Sequence, residues 1–290
     1  MDELFRQALL AGERCGLRYL LDPPRIAPLG VAGTQLGHRS GSSIEFMDHR
    51  EYQPGDDLRR IDWSGYARSD RLVVKLYREE VSPHLDLVID GSRSMDLPGT
   101  KKAEAALGVA GAFAAAASNA AFTCTPWLAG DGFRRIASAS QRPATWTGLS
   151  FDAPQTMERS FAQLPPGWRR QAVRVVVSDL MWPGDPLAML RRLSEGAASL
   201  VLAQVLAKQD VTPPARGNLR LADSESGQML ELFIDAGAEK RYRQAFEQHQ
   251  NDWRAAARRV GAVMVTAVAE DLLESWSLED FVRQQVLQVR

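Results

Sequence analysis

Leu85-Asp86-Leu87-Val88-Ile89-Asp90-Gly91-Ser92-Arg93-Ser94 is the stretch on which the fold turns. Leu85 to Ile89 is a short apolar run rich in branched residues, the pattern of a strand buried on both faces of a parallel sheet. The chain then bends through Gly91, and Pro98-Gly99 lead into an Ala-rich stretch from Lys101 to Ala121. That stretch has no Pro, and its only glycines are Gly108 and Gly111, so it reads as a helix whose small side chains let it lie close against a sheet. The motif therefore occupies a strand-to-helix crossover. In open parallel sheets, ligands collect outside the carboxyl ends of the strands at such points.

Asp90, Ser92 and Ser94 offer one carboxylate and two hydroxyls at alternate positions. These are hard oxygen donors and too few to fill an octahedral shell, which suits Mg2+ or Mn2+ better than Zn2+ and leaves positive charge to attract an outside carboxylate. The plainer reading is a turn in which Asp and Ser cap the following helix. A second apolar run, Ala172 to Val177, ends in Ser178-Asp179-Leu180 and repeats the pattern of a strand followed by Asp. If the two strands are neighbours, Asp179 reaches the same rim and holds the ion directly or through water; otherwise it only caps the turn before Trp182-Pro183-Gly184. The polar loop between the two runs could add one hydroxyl, and spacing leaves Thr147, Ser150 and Thr156 all open.

Asp90, Ser92 and Ser94 with the distant Asp179 resemble the metal-ion-dependent adhesion site of von Willebrand factor A domains. Upstream lie Gly37-His38-Arg39-Ser40-Gly41, then Glu45 to Trp63 with Arg50-Glu51-Tyr52-Gln53-Pro54-Gly55-Asp56-Asp57-Leu58-Arg59-Arg60-Ile61-Asp62-Trp63 at its centre, then Ala67-Arg68. This segment is similar to the signature of the bacterial DUF58 family, and Leu221 to Gly227 echoes that family's strand-turn-strand. The resemblance implies an A-type domain, a Mg2+ site of adhesion type and a MoxR-type AAA+ ATPase as partner, with this chain as adaptor. The middle loop departs from the pattern because it has no clean Gly-x-Thr.

A chain of 290 residues exceeds the usual single-core size, so one large α/β domain with a smaller appendage is expected. The reading is a von Willebrand factor A-like, mostly parallel sheet flanked by helices, with a smaller β-rich subdomain. Residues 1–29 form an amino-terminal amphipathic helix over Asp2 to Leu21; residues 30–83 and about 210–235 form the small subdomain; residues 84–209 and 236–290 form the A-like domain. A hairpin of Leu219 to Leu221 with Met229 to Phe233 is expected to pair with the early β segment. A long helix covers Ala238 to Val260 and a last one Leu278 to Val289. Gly130-Asp131-Gly132 reads as a hairpin turn.

A formal net charge of −1 without a basic run gives no footprint for nucleic acid. Cys15 and Cys124 are far apart, so no disulfide framework is expected. No stretch approaches the roughly 20 uninterrupted apolar residues of a membrane helix, and Met1-Asp2-Glu3 does not open a secretory signal. A cytoplasmic protein without a membrane span is expected, peripheral to the inner membrane only through partners.

Charges around Pro54-Gly55 suggest a buttress in which Arg50, Arg59 and Arg60 fork onto Glu51, Asp56, Asp57 or Asp62, with Trp63 as apolar anchor. An enzymatic alternative is a metal-assisted phosphate-ester hydrolase. Phosphotransferases of haloacid-dehalogenase type need Asp-x-Asp, however, and the third position here is Ser92. There is no Gly-x-Ser-x-Gly, His-Glu-x-x-His or phosphate-loop motif, and His38, His49, His84 and His249 are dispersed. No catalytic constellation is assigned.

Overall fold

The computed structural model describes residues 3–22, 44–54, 56, 58–79, 83–138, 142–223 and 228–290. The Gly37 to Gly41 segment, Gly55, Asp57, the side chain of Arg60 and the Ser224 to Gly227 turn lie outside the described residues. The chain divides into two compact units, one of residues 1–27 and 83–290 and the other of residues 28–82.

In the smaller unit, β2 (Ile44–Glu51) pairs antiparallel with β3 (Val73–Glu79), and α2 (Trp63–Ser69) lies between them in sequence. Asp62 caps α2 by accepting from the backbone N–H of Ser64. It is buried, lies 2.9 Å from His49 Nε2 and 3.4 Å from Lys75 Nζ, and is held below the usual carboxylate range chiefly by the Gly65 backbone N–H. Arg50 pairs with Asp56 at 2.8 Å, one fork of the expected buttress. Trp63 is not its apolar anchor: the ring is 61% exposed and meets Tyr66 edge-on.

The larger unit begins with α1 (Glu3–Gly16) and β1 (Tyr19–Leu21). The helix expected to run to Leu21 thus ends at Gly16. Leu17 and Arg18 still donate back to helix carbonyls, but Tyr19–Leu21 pairs antiparallel with β14 (Leu287–Val289) in place of a further helical turn. The same pairing shortens the last expected helix to α9 (Glu279–Arg283).

The core elements are β4 (His84–Asp90), α3 (Lys102–Asn119), β5 (Thr123–Gly130), β6 (Gly132–Arg135), β9 (Val173–Ser178), α5 (Pro186–Ser194), β10 (Ser199–Leu206), α7 (Ala236–Val260), β13 (Val263–Val268) and α8 (Ala269–Ser275). Smaller pieces are β7 (Ala137–Ser138), β8 (Trp146–Thr147), α4 (Met157–Gln163) and α6 (Lys208–Val211). One six-stranded sheet runs β13-β10-β9-β4-β5-β6, parallel throughout except for β6, which returns through the expected Gly130–Gly132 turn. It is a mixed α/β fold with a mostly parallel central sheet.

Leu85, Leu87 and Ile89 face a core built with α1, α3, α8 and α9; Val88 and Val176 face the core of α5 and α7. Strand β5 lies on one side of β4 and β9 on the other, so the chain changes direction at the β4–β9 edge and opens a crevice at their carboxyl ends.

Helix α3 is buried nearly all round, and α1 covers the side that the sheet does not. Their backbones touch through small residues: a Cβ on Gly12 would stand 2.0 Å from the Gly108 carbonyl oxygen, and one on Gly16 would stand 2.3 Å from that of Ala112. The Ala-rich composition therefore serves two close approaches, to the sheet and to α1.

The hairpin of β11 (Gly217–Ala222) and β12 (Met229–Ile234) belongs to the larger unit. It forms a two-stranded sheet of its own, as do β2 and β3, so the pairing expected between them is corrected among the described residues. Each strand finds its ladder partner in its own hairpin. No helix among the described residues is long and apolar enough to cross a membrane.

Candidate metal centre

The β4–β9 edge brings the sequence-selected residues together. Strand β4 ends at Asp90, and the register Ile89↔Val177 sets Asp90 beside Ser178, one residue before Asp179. Asp90 is 1% exposed. Its Oδ1 accepts from the Ser92 backbone N–H at 3.0 Å and its Oδ2 from Ser178 Oγ at 2.6 Å. Ser92 Oγ and Ser94 Oγ lie 3.1 Å apart, Ser92 buried and Ser94 half-buried, so the motif opens outward through Ser94.

Gly91 makes the bend possible, since a Cβ there would sit 2.9 Å from the Ala129 carbonyl oxygen and 3.1 Å from that of Ser150. Its N–H donates to Ala129 O, and Ser92 bridges to Ala153 across the crevice. Of the three hydroxyl residues left open by spacing, Ser150 thus lies beside the motif through its backbone. Thr147 sits on β8 with its hydroxyl turned to the Ala137 carbonyl at 3.4 Å, and Thr156 stands at the start of α4 without capping it.

Asp179 is also 1% exposed. Its Oδ1 accepts from Met181 N–H at 3.0 Å, so the turn-capping reading holds for one oxygen. The other oxygen accepts from Lys102 Nζ at 2.9 Å, and the same ammonium lies 3.2 Å from Asp210 Oδ2 on α6. The rim continues as a polar row: Gln204 Nε2 donates to the Asp179 carbonyl and Thr266 Oγ1 donates to Gln204 Oε1.

Burial pushes Asp90 up to about 6, and the neighbouring Asp179 charge adds to this against the hydrogen bonds from Ser178 and Ser92. Burial disfavours the Lys102 ammonium, but the Asp179 and Asp210 carboxylates outweigh it and hold that group above its ordinary value.

Sequence reading missed Ser178, Lys102 and Asp210. Ser178 was legible as the residue that parallel register sets beside Asp90. Lys102 was legible only as a charge at the head of an Ala-rich helix, and Asp210 carried no signal.

The donor set is all oxygen, with one carboxylate and a hydroxyl pair at the open end and a second carboxylate behind, which fits a hard divalent cation. Among the described residues no cluster of three or more His, Cys, Asp or Glu forms a cage. The fit therefore rests on the hydroxyls.

The family model described as a protein of unknown function, DUF58, matches residues 48–256. The chain belongs to the DUF58 family. Uncharacterized proteins of Mycobacterium tuberculosis and Mycobacterium bovis are each 30% identical to this DUF58 chain over 257 residues, covering 81% of it and 77% of the relative. Among solved structures, the conserved hypothetical protein BatB of Bacteroides thetaiotaomicron aligns at 8% identity with a TM-score of 0.32, covering 70% of this chain and 98% of that one. An aerotolerance-related membrane protein of Bacteroides fragilis aligns at 12% identity, with the same TM-score of 0.32 and the same coverage. Neither bears on the fold or the function of this DUF58 chain.

Proposed function

We propose that this DUF58 protein is a metal-dependent interaction module of von Willebrand factor A type. In this reading Asp90, Ser92 and Ser94 hold Mg2+ or Mn2+, Asp179 assists through water, and an Asp or Glu of a protein partner completes the shell. The ion supplies a Lewis-acidic anchor for that carboxylate. The chain's own residues fix the donors: Ser178 orients Asp90, Gly91 lets the loop bend beneath Ser92, and Lys102 engages Asp179. The observation that carries the reading is the Ser92–Ser94 hydroxyl pair, 3.1 Å apart at the open side of a buried Asp90.

Charge balance supports it. Asp179 and Asp210 share the ammonium of Lys102, the Asp179 charge bears on buried Asp90, and burying carboxylates without enough positive charge is costly. A divalent cation would restore the balance. Asp210 also borders a cleft of about 960 Å³ lined by Leu221, Leu232, Phe233 and Tyr242, apolar surface beside a polar anchor. The partner class follows from the family resemblance: a MoxR-type AAA+ ATPase, with this chain as adaptor in a chaperone-like or assembly role.

The test is co-purification with a MoxR-type ATPase in Mg2+ and in EDTA, using wild type and Asp90→Ala. Binding should require the ion and be lost in the variant. Equal recovery in all arms would sink the proposal. Phosphate-ester turnover abolished by Asp90→Ala would instead support a hydrolase.

A further inference from the structure

We infer that Lys102 is a built-in counter-cation that competes with the divalent ion for Asp179, and that Asp210 sets how strongly it competes. This positioning role rests on the metal reading above and deepens it.

Lys102 is the first residue of α3 and is 1% exposed, an unusual place for an ammonium. Its backbone belongs to a helix packed against both the sheet and α1, so its position is fixed, while its side chain reaches two carboxylates from different elements. One is Asp179 at the end of β9, at 2.9 Å; the other is Asp210 on α6, at 3.2 Å. Asp210 is held in turn, because its Oδ2 accepts from the Ala207 N–H at 2.8 Å and its carbonyl accepts from Tyr242 Oη at 2.7 Å.

A like charge beside a cation site disfavours the cation, and low dielectric strengthens the effect. By neutralising Asp179, Lys102 removes the second carboxylate from the ion's direct reach. An open site with one direct carboxylate binds weakly and depends on the incoming carboxylate of a partner. Asp210 moderates this by sharing the ammonium. Removing the Asp210 charge should tighten Lys102 onto Asp179 and weaken the ion; removing the ammonium should free Asp179 for it.

Mn2+ binding to the full chain, followed by electron paramagnetic resonance, tests this in wild type, Asp90→Ala, Lys102→Met and Asp210→Asn. Lys102→Met should bind Mn2+ about tenfold more tightly and Asp210→Asn about threefold more weakly than wild type. Near-ultraviolet circular dichroism establishes that each variant is folded. A merely structural Lys102 would lower the melting temperature of Lys102→Met and leave its Mn2+ affinity unchanged, which would overturn the inference. Should Lys102→Met not fold, Asp210→Asn decides: affinity unchanged or raised overturns it. Equal Mn2+ binding by wild type and Asp90→Ala would overturn the metal reading itself. Loss in Asp90→Ala without a gain in Lys102→Met would remove only the role of Lys102.

Discussion

Asp86 and Asp90 stand four residues apart on one strand, both 1% exposed, and their surroundings could hardly differ more. Asp86 accepts from Trp127 Nε1 at 3.1 Å and from the Arg169 N–H at 3.1 Å, with His84 Nε2 at 3.4 Å. Arg174 supplies positive charge beside it. Burial pulls that guanidinium down to about 10 against the opposing pull of Asp86 and Glu195. It donates to the Leu193 carbonyl at the end of α5 and stacks 3.8 Å over the Trp168 ring. Asp90 is met by the hydroxyls and one amide of Ser178 and Ser92, and has a second carboxylate for a neighbour. A buried carboxylate supplied with donors and cations holds a fold together; one left short of positive charge is a candidate functional group.

The sharpest way to break this contrast is Asp86→Ala. Removing one partner of a buried charged network should cost about 3–5 kcal/mol, equally with and without Mg2+, as read by urea unfolding. A loss that Mg2+ repairs would put Asp86 with the site and not with the scaffold.

Next comes the pH dependence of Asp90. Its carboxyl rises from 3.8 in the unfolded chain to about 6 in the folded one, so the protonated form favours folding. The contribution is fully present below the unfolded value and is lost as pH rises through about 6, amounting to about 3 kcal/mol in the ion-free protein. Urea melts from pH 4 to 8 in EDTA should show the decline, Mg2+ should remove it above pH 6, and Asp90→Asn should flatten it. A flat wild-type profile would show that Asp90 bears no burial penalty.

The smallest stability effect belongs to Ser94→Ala. Half-buried Ser94 should cost under about 1 kcal/mol in stability yet weaken Mn2+ about tenfold, which calorimetry and spin resonance separate. An unchanged affinity would remove the hydroxyl pair from the ligand set.

The two central strands were legible because each is rich in branched apolar residues and each run leads into an Asp. Leu85 to Asp90 and Val173 to Asp179 announce both their burial and their direction, and the Gly130–Gly132 turn announces the antiparallel edge. What escaped were features that depend on distant partners. Tyr19–Leu21 continues an acceptable helical pattern and becomes a strand only because Leu287–Val289 lies beside it. The hairpin at Gly217–Ile234 offered no clue to its neighbours, since an alternating strand shows that a face is apolar but not what meets it. At the site, the motif residues were readable from spacing along one strand end. Lys102 and Asp210 enter through side chains that converge from a helix start and a short helix more than 100 residues apart, and no local pattern encodes that meeting.

The smaller unit, residues 28–82, is spliced between two stretches of the larger one, 1–27 and 83–290, and so has two covalent joints and no free end. The strand that leads toward it, β1, is laced to the last strand of the chain, and the one that follows it, β4, carries Asp90. The signature segment Arg50 to Trp63 is therefore leashed at both ends. A partner bound to it is joined along the chain to β4, the strand that ends at Asp90.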